Sequence, residues 1–392
     1  MSGTTPLTVE RLKEPLNQDE KEEMDNPYFL EQLHMFIEAV NKLPNLSEDR
    51  QSIWAEQLRE HVKMRAAVKR AIKDNPDVLQ TPVEPVFIVS LHRSGTTMLH
   101  RLLSCDPRFV SASLWELLQP CPPGRPENWK ESERYKNAAK YVGYMYPGGL
   151  EDVGHIHYID LDLPDECYNT LQAAFMDNGW GTHPNFKKLR TYNYNLPKDK
   201  QLKAYEHYKN ALQCIFYNRV TDGQTVLLKN PWHNIFIDTL MELFPNAKFI
   251  FPYRNAREII GSSCSLFSMA VPVLGYDLTK NDIKDYTLGL NKVASVRMIN
   301  AINKLPKERK FVISYSEIVK DPMAAVDTIY SNFGWKLSSE GLENMQRHLE
   351  ENRQHKLGKH SYDMSEWGIT EDDLKDTLPE YLEYFGTKEN ML

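Results

Sequence analysis

The chain has 392 residues, 41% of them hydrophobic, which suffices for one large α/β domain with a helical extension or for two or three smaller units. A formal net charge of −7 argues against a general nucleic-acid surface, so any anionic ligand needs locally clustered Arg and Lys. The five cysteines are scattered without C-x-x-C spacing, a pattern of free thiols in a reducing compartment and not of a disulfide framework or zinc site.

The N-terminal stretch is polar and acidic, without an apolar signal core, and residues 1–26 read as disordered or loosely attached. No apolar run of about 18 residues follows, so a cytosolic protein with no membrane span is expected. From Pro27 to Leu43, Phe29, Leu30, Leu33, Phe36, Ile37 and Val40 recur at helical spacing. Ser47 is placed to cap a second helix running to about Lys73, with Glu48 and Asp49 in its first turn. Asn75-Pro76 stops that helix, and TPVEP (81–85) is an extended linker. The helical extension is therefore assigned to residues 1–84 and the main domain to 85–392.

Within that domain the pattern alternates. VFIVS (86–90), TVLLK (225–229), AKFIF (247–251) and KFVIS (310–314) are short apolar runs, each followed by a helical pattern. The last two helices are expected from Ala256 to about Phe267 and from Met323 to Phe333. Uniformly apolar strands alternating with helices indicate a parallel sheet covered on both faces. Right-handed crossovers then align the strand-to-helix loops along one edge, where ligands of such sheets bind. Residues from about 108 to 218 read as a long, largely helical insertion.

The first of these loops is unusual. FIVSLHRSGTTMLHRLL (87–103) passes from strand to helix through SLHRSGTT, a geometry suited to phosphate-like groups. Gly95 permits close backbone approach, and Thr96 and Thr97 add hydroxyl donors. A nucleoside-triphosphate loop would carry Lys before the Ser/Thr, and none precedes Thr96; no metal-binding Asp follows TVLLK either.

This stretch resembles the 5′-phosphosulfate loop of the sulfotransferase family, whose common core is P-R-S-G-T-T. His92 stands where Pro is commoner and Ser90 where Gly is. The likeness continues in family order through WELL (115–118), PDEC (164–167), LKNPWH (228–233), RNAREIIGSS (254–263) and KLGKHSY (356–362). The resemblance implies a P-loop-like α/β fold that uses 3′-phosphoadenosine 5′-phosphosulfate (PAPS) as donor, releases 3′,5′-adenosine diphosphate and needs no metal. His92, Arg93, Ser94, Gly95, Thr96 and Thr97 would hold the 5′-phosphosulfate. Arg254 and Ser262 match the spacing for the 3′-phosphate, with Lys356, Gly358, Lys359 and His360 closing over it and Tyr315 beside the adenosine.

Sulfuryl transfer to a hydroxyl needs an in-line acceptor, a base for its proton, and a cation at the bridging oxygen of the leaving phosphate. By resemblance the cation is Lys229. The base is Glu116 or His157. Glu116 can equally cap a helix or pair with Arg, and His157 can equally be a polar pocket wall. His155 and His157 lack a third ligand at metal-binding spacing. Asp165 and Glu166 are expected to start a helix and brace the site. Trp115, Tyr158, Phe175, Trp180, Trp232, Phe267 and Tyr276 suggest an aromatic-walled pocket for a small lipophilic alcohol or phenol. Two rivals stay open, an ATP- and Mg-dependent P-loop kinase and a nucleotide-binding protein without catalysis.

Overall fold

The computed structural model describes residues 5–145, 159–174, 181–274, 276–352, 364–386 and 391–392. Its frame is a five-stranded parallel sheet of order β2-β3-β1-β4-β5, with β1 Val86–Ile88, β2 Phe109–Val110, β3 Thr225–Lys229, β4 Lys248–Tyr253 and β5 Lys310–Ser314. β1 lies between β3 and β4, pairing Ile88 with Lys229 on one side and Ile250 on the other. The uniformly apolar strand sequences follow from burial on both faces. Phe87, Val226, Leu228, Phe249 and Phe251 point into one core, while Val86, Ile88, Leu227, Ile250 and Ile313 point into the other.

The helices that position the site, in chain order, are α1 (Pro27–Asn41), α2 (Glu48–Asp74), α3 (Thr96–Leu103), α4 (Leu114–Leu118), α5 (Glu133–Met145), α6 (Tyr168–Gln172), α7 (Lys198–Phe216), α8 (Ala256–Leu274), α9 (Lys280–Lys304) and α10 (Pro322–Phe333). Ser47 caps α2 as expected, its hydroxyl accepting from the Arg50 amide. Among the described residues no helix is long and apolar enough to cross a membrane.

Several expectations need correcting. Residues 5–25 are not loose: they include helices Val9–Lys13 and Gln18–Met24. Their Leu7, Leu12, Leu16 and Met24 are buried in the same core as Phe87 and Phe249. Those four apolar side chains outweigh the acidic residues around them, of which Glu23 is buried against Arg65 and Lys69. The stretch read as a largely helical insertion begins with β2, whose two residues are too few to leave a periodic signal. β4 continues through Pro252 to Tyr253, pairing with Ser314 at its end. α8 runs on to Leu274, and a short helix Tyr315–Lys320 precedes α10.

Candidate active site

The loop between β1 and α3 owes its shape to two left-handed residues, Arg93 at φ 67° and Gly95 at φ 84°. Gly95 is required twice over. Its φ disfavours any side chain, and a Cβ there would lie 2.5 Å from Cδ2 of Tyr315. Tyr315 thus packs against the loop backbone from the end of β5. Over its ring, 4.2 Å from the centroid, lies the Arg254 guanidinium.

The loop and the second anion motif meet. Arg254 Nη1 donates to the Arg93 carbonyl at 3.0 Å, and Arg93 Nε donates to Ser262 Oγ at 2.9 Å. Tyr381, fully buried near the C-terminus, accepts from the Arg254 amide and donates to its carbonyl, fixing that residue at the end of β4. Arg254 also pairs with Glu258 one turn into α8 at 2.6 Å. Arg93, Arg254, Ser262, Gly95 and Tyr315, far apart in sequence, form one patch. Ser94 is fully buried and its hydroxyl has no hydrogen-bond partner, and the N-terminal amides of α3 lie beside it. A cation-lined loop with an orphaned buried hydroxyl fits an anionic ligand such as a phosphosulfate.

Lys229 ends β3, directly across from Ile88. Only 1% of its side chain is exposed, and Nζ donates to Thr97 Oγ1 at 3.2 Å and to Glu166 Oε1 at 2.7 Å. Glu166, expected to start a helix and brace the site, pairs directly with this lysine, with 16% of its side chain exposed. Sixty-three residues separate it from Lys229, and no spacing rule links positions that far apart.

Its neighbour Cys167 holds it there. The Cys167 amide donates to the Lys229 carbonyl at 3.1 Å. The Cys167 thiol sits 3.4 Å from His233 Nε2 and accepts from the Tyr208 hydroxyl at 3.0 Å, while Tyr205 shares a 2.9 Å hydrogen bond with His233 Nδ1. Burial drives His233 down to about 3, so the imidazole is neutral, and pushes Cys167 up to about 12. None of these four positions is singled out for such a role by the sequence, where Cys167 and His233 enter only as members of PDEC and LKNPWH.

Glu116 stands differently. It is completely buried and serves as the N3 half of the capping box of α4, accepting from the Ser113 amide at 2.9 Å. Arg125 donates to both of its oxygens, at 3.0 and 2.7 Å, and Arg219 donates to Oε1 at 2.6 Å. This is the capping and arginine-pairing arrangement, and it leaves no oxygen facing an acceptor. Backbone bonds from Leu114 to Leu163 and from Trp115 to Leu161 join this segment to the one bearing Glu166.

Trp232 and Phe267 gather around His92, with ring centroids 4.9 and 5.8 Å from the imidazole, and Tyr168 stacks on Trp232 at 6.5 Å. Trp115 is elsewhere, stacked on Trp129 beneath Arg125 and Arg134. Tyr276 faces Trp54 of α2 and hydrogen-bonds Thr182. His157, Tyr158, Phe175, Trp180, Lys356, Gly358, Lys359 and His360 lie outside the described residues. Among the described residues no group of three His, Cys, Asp or Glu is placed to hold a metal ion.

Residues 85–339 match the model of the sulfotransferase family. The ω-hydroxy-β-dihydromenaquinone-9 sulfotransferases Stf3 of Mycobacterium bovis and M. tuberculosis are each 22% identical over 306 residues, 76% of this chain and 74% of theirs. In fold, the chain is similar to sulfotransferase STF9 of M. avium, with a TM-score of 0.80, 23% identity, and 94% and 95% of the two chains covered. Sulfotransferase STF1 of M. tuberculosis H37Rv gives 0.78 and 22%, covering 96% and 99%.

Proposed function

The chain belongs to the sulfotransferase family, and we propose that it moves the sulfuryl group of PAPS to the hydroxyl of a small lipophilic acceptor, with Glu166 as the base. One observation carries the reading: Lys229, Thr97 and Glu166 converge at the mouth of the anion loop. In the proposed step Glu166 takes the hydroxyl proton as the acceptor oxygen bonds to sulfur and the bond from sulfur to the bridging phosphate oxygen breaks. Lys229 Nζ neutralises the charge left on that oxygen, and Thr97 and the loop amides hold the sulfuryl oxygens. A sulfuryl group carries less charge than a phosphoryl group, so these donors suffice without a metal.

Arg254, Ser262 and Arg93 are assigned to the ribose 3′-phosphate, and Tyr315 to the adenosine side of the loop. Lys356, Gly358, Lys359 and His360 are assigned to the same phosphate by family resemblance. The aromatic group around His92 supports an apolar acceptor. So does the name of the Stf3 relatives, which specifies an ω-hydroxylated menaquinone. The base assignment departs from the sequence-based choice of Glu116 or His157, because Glu116 is enclosed and Glu166 meets Lys229.

Ligand-induced thermal stabilisation tests the donor assignment. A rise in Tm with 3′,5′-adenosine diphosphate and none with ATP plus Mg is expected. Stabilisation by ATP plus Mg alone would instead indicate the kinase reading.

A further inference from the structure

Away from the anion loop, two cysteines lie side by side. Cys121, in the turn after α4, packs with Cys214 of α7 in a small apolar cluster with Val68 of α2 and Val78. The two thiols act on each other electrostatically, Cys214 pushing Cys121 up and Cys121 pulling Cys214 down. The Gly124 amide donates to the Cys214 carbonyl at 2.8 Å, fastening the turn to the helix.

Arg134 of α5 wraps this turn. Its Nε donates to the Gln119 carbonyl at 2.9 Å and its Nη1 to the Gly124 carbonyl at 2.5 Å. Its Nη2 is buried and has no hydrogen-bond partner, and its charge acts on both sulfurs. Cys121 and, more weakly, Arg134 hold the Cys214 thiol below its ordinary value, while Cys214 and burial push Cys121 up, so Cys214 is the sulfur that carries the thiolate. A cation beside a thiol favours the thiolate, which is the reactive form.

The pair is also reachable. Cys214 is buried, but Cys121 is half-buried and lines a cleft of about 320 Å³ between α2 and α5, with Glu56, Lys63, Gln119 and Tyr144 on its walls. Cys105, the other partly exposed cysteine, has no such partner among the described cysteines.

We propose that Cys121 and Cys214 form an oxidisable dithiol, closed to a disulfide by a peroxide entering through this cleft. One sulfur, as thiolate, attacks the peroxide O–O bond, becoming a sulfenic acid and releasing water. The second sulfur attacks the first, forms the S–S bond and expels the hydroxyl as a second water. Two thiols lose two protons and two electrons, and one hydrogen peroxide becomes two waters. The disulfide ties the turn after α4 to α7, the helix whose Tyr205 and Tyr208 support Cys167 and His233.

The test treats the full-length protein with hydrogen peroxide and maps its peptides without reduction. A peptide linking Cys121 to Cys214, lighter by two hydrogens and cleaved by dithiothreitol, is expected, together with a higher Tm for the oxidised protein. Cys121→Ser should abolish the link, and Arg134→Gln should slow its formation at least several-fold. If Cys214→Ser fails to fold, Cys121→Ser alone keeps the comparison. Two free thiols at these positions after Cys105 is oxidised, or a link between other cysteines, would overturn the proposal.

Discussion

Glu116 and Glu166 are carboxylates on adjoining segments, and their surroundings give them opposite work. Glu116 receives donors from Ser113, Arg125 and Arg219 and is wholly enclosed. Replacing it by Gln removes the charge that two guanidiniums face, at a cost on the order of 3 kcal/mol for breaking a buried ion pair. Urea unfolding should register that loss, while kcat stays near normal in the folded variant. Glu166→Gln leaves the buried Lys229 without its carboxylate and so also costs stability, but in the folded variant kcat should fall by about 10²–10⁴ with affinity for 3′,5′-adenosine diphosphate retained. If Glu116→Gln proves the catalytically dead variant and Glu166→Gln the active one, the base has been misassigned. Arg254→Ala addresses the other anion. It should cost about 2–4 kcal/mol in affinity for PAPS and little for adenosine 5′-phosphosulfate, which lacks the 3′-phosphate. Equal losses for both ligands would mean that Arg254 serves only the fold, through Tyr315 and Arg93.

At the scale of elements, the site depends on how α6 and α7 are clamped to the end of β3. Tyr208→Phe removes the hydroxyl that meets both Cys167 and His233. A loss of about 1–3 kcal/mol is expected from the unpaired groups left in the core. Because Cys167 is bonded to the Lys229 backbone, kcat should fall as Glu166 loosens, while nucleotide affinity holds. A variant destabilised but fully active would show that the cluster only supports the fold. These contacts also explain what could be read in advance. The β1–α3 loop was legible because strand, glycine and helix cap are contiguous, and local chemistry dictates their shape. The four longer strands were legible because burial on both faces demands unbroken apolar runs. β2 was not, being two residues long, and the N-terminal helices were hidden because few apolar residues anchor an otherwise charged stretch. The pairing of Glu166 with Lys229 was not legible, since its partner is supplied by a strand that only folding brings alongside.

Across the whole molecule, buried neutral histidines set a pH response. His61, His100 and His233 are each pushed down to about 3, chiefly by burial. Unfolding returns them to an ordinary value of about 6.5, so the unfolded chain binds more protons below that pH. Their contribution is complete above about pH 6.5 and is lost as pH falls towards 3, each supplying up to about 1.4 kcal/mol per pH unit. Urea midpoints should therefore drop steadily from pH 7 to pH 5, before most carboxylates titrate; a flat profile would contradict the burial of neutral imidazoles. The same molecule joins the β1–α3 loop, the buried Lys229 and the aromatic group around His92 at a single edge of its sheet, the edge proposed to transfer sulfuryl groups to lipophilic hydroxyls. The most direct measurement is transfer of label from ³⁵S-labelled PAPS into long-chain and polyprenyl alcohols, sterols and phenols, by wild type and Glu166→Gln side by side. The account predicts label in an organic-extractable sulfate ester with wild type and a 10²–10⁴-fold slower rate with Glu166→Gln. Wild type that binds 3′,5′-adenosine diphosphate yet labels none of these hydroxyls, or a Glu166→Gln variant that labels them as fast, would contradict it.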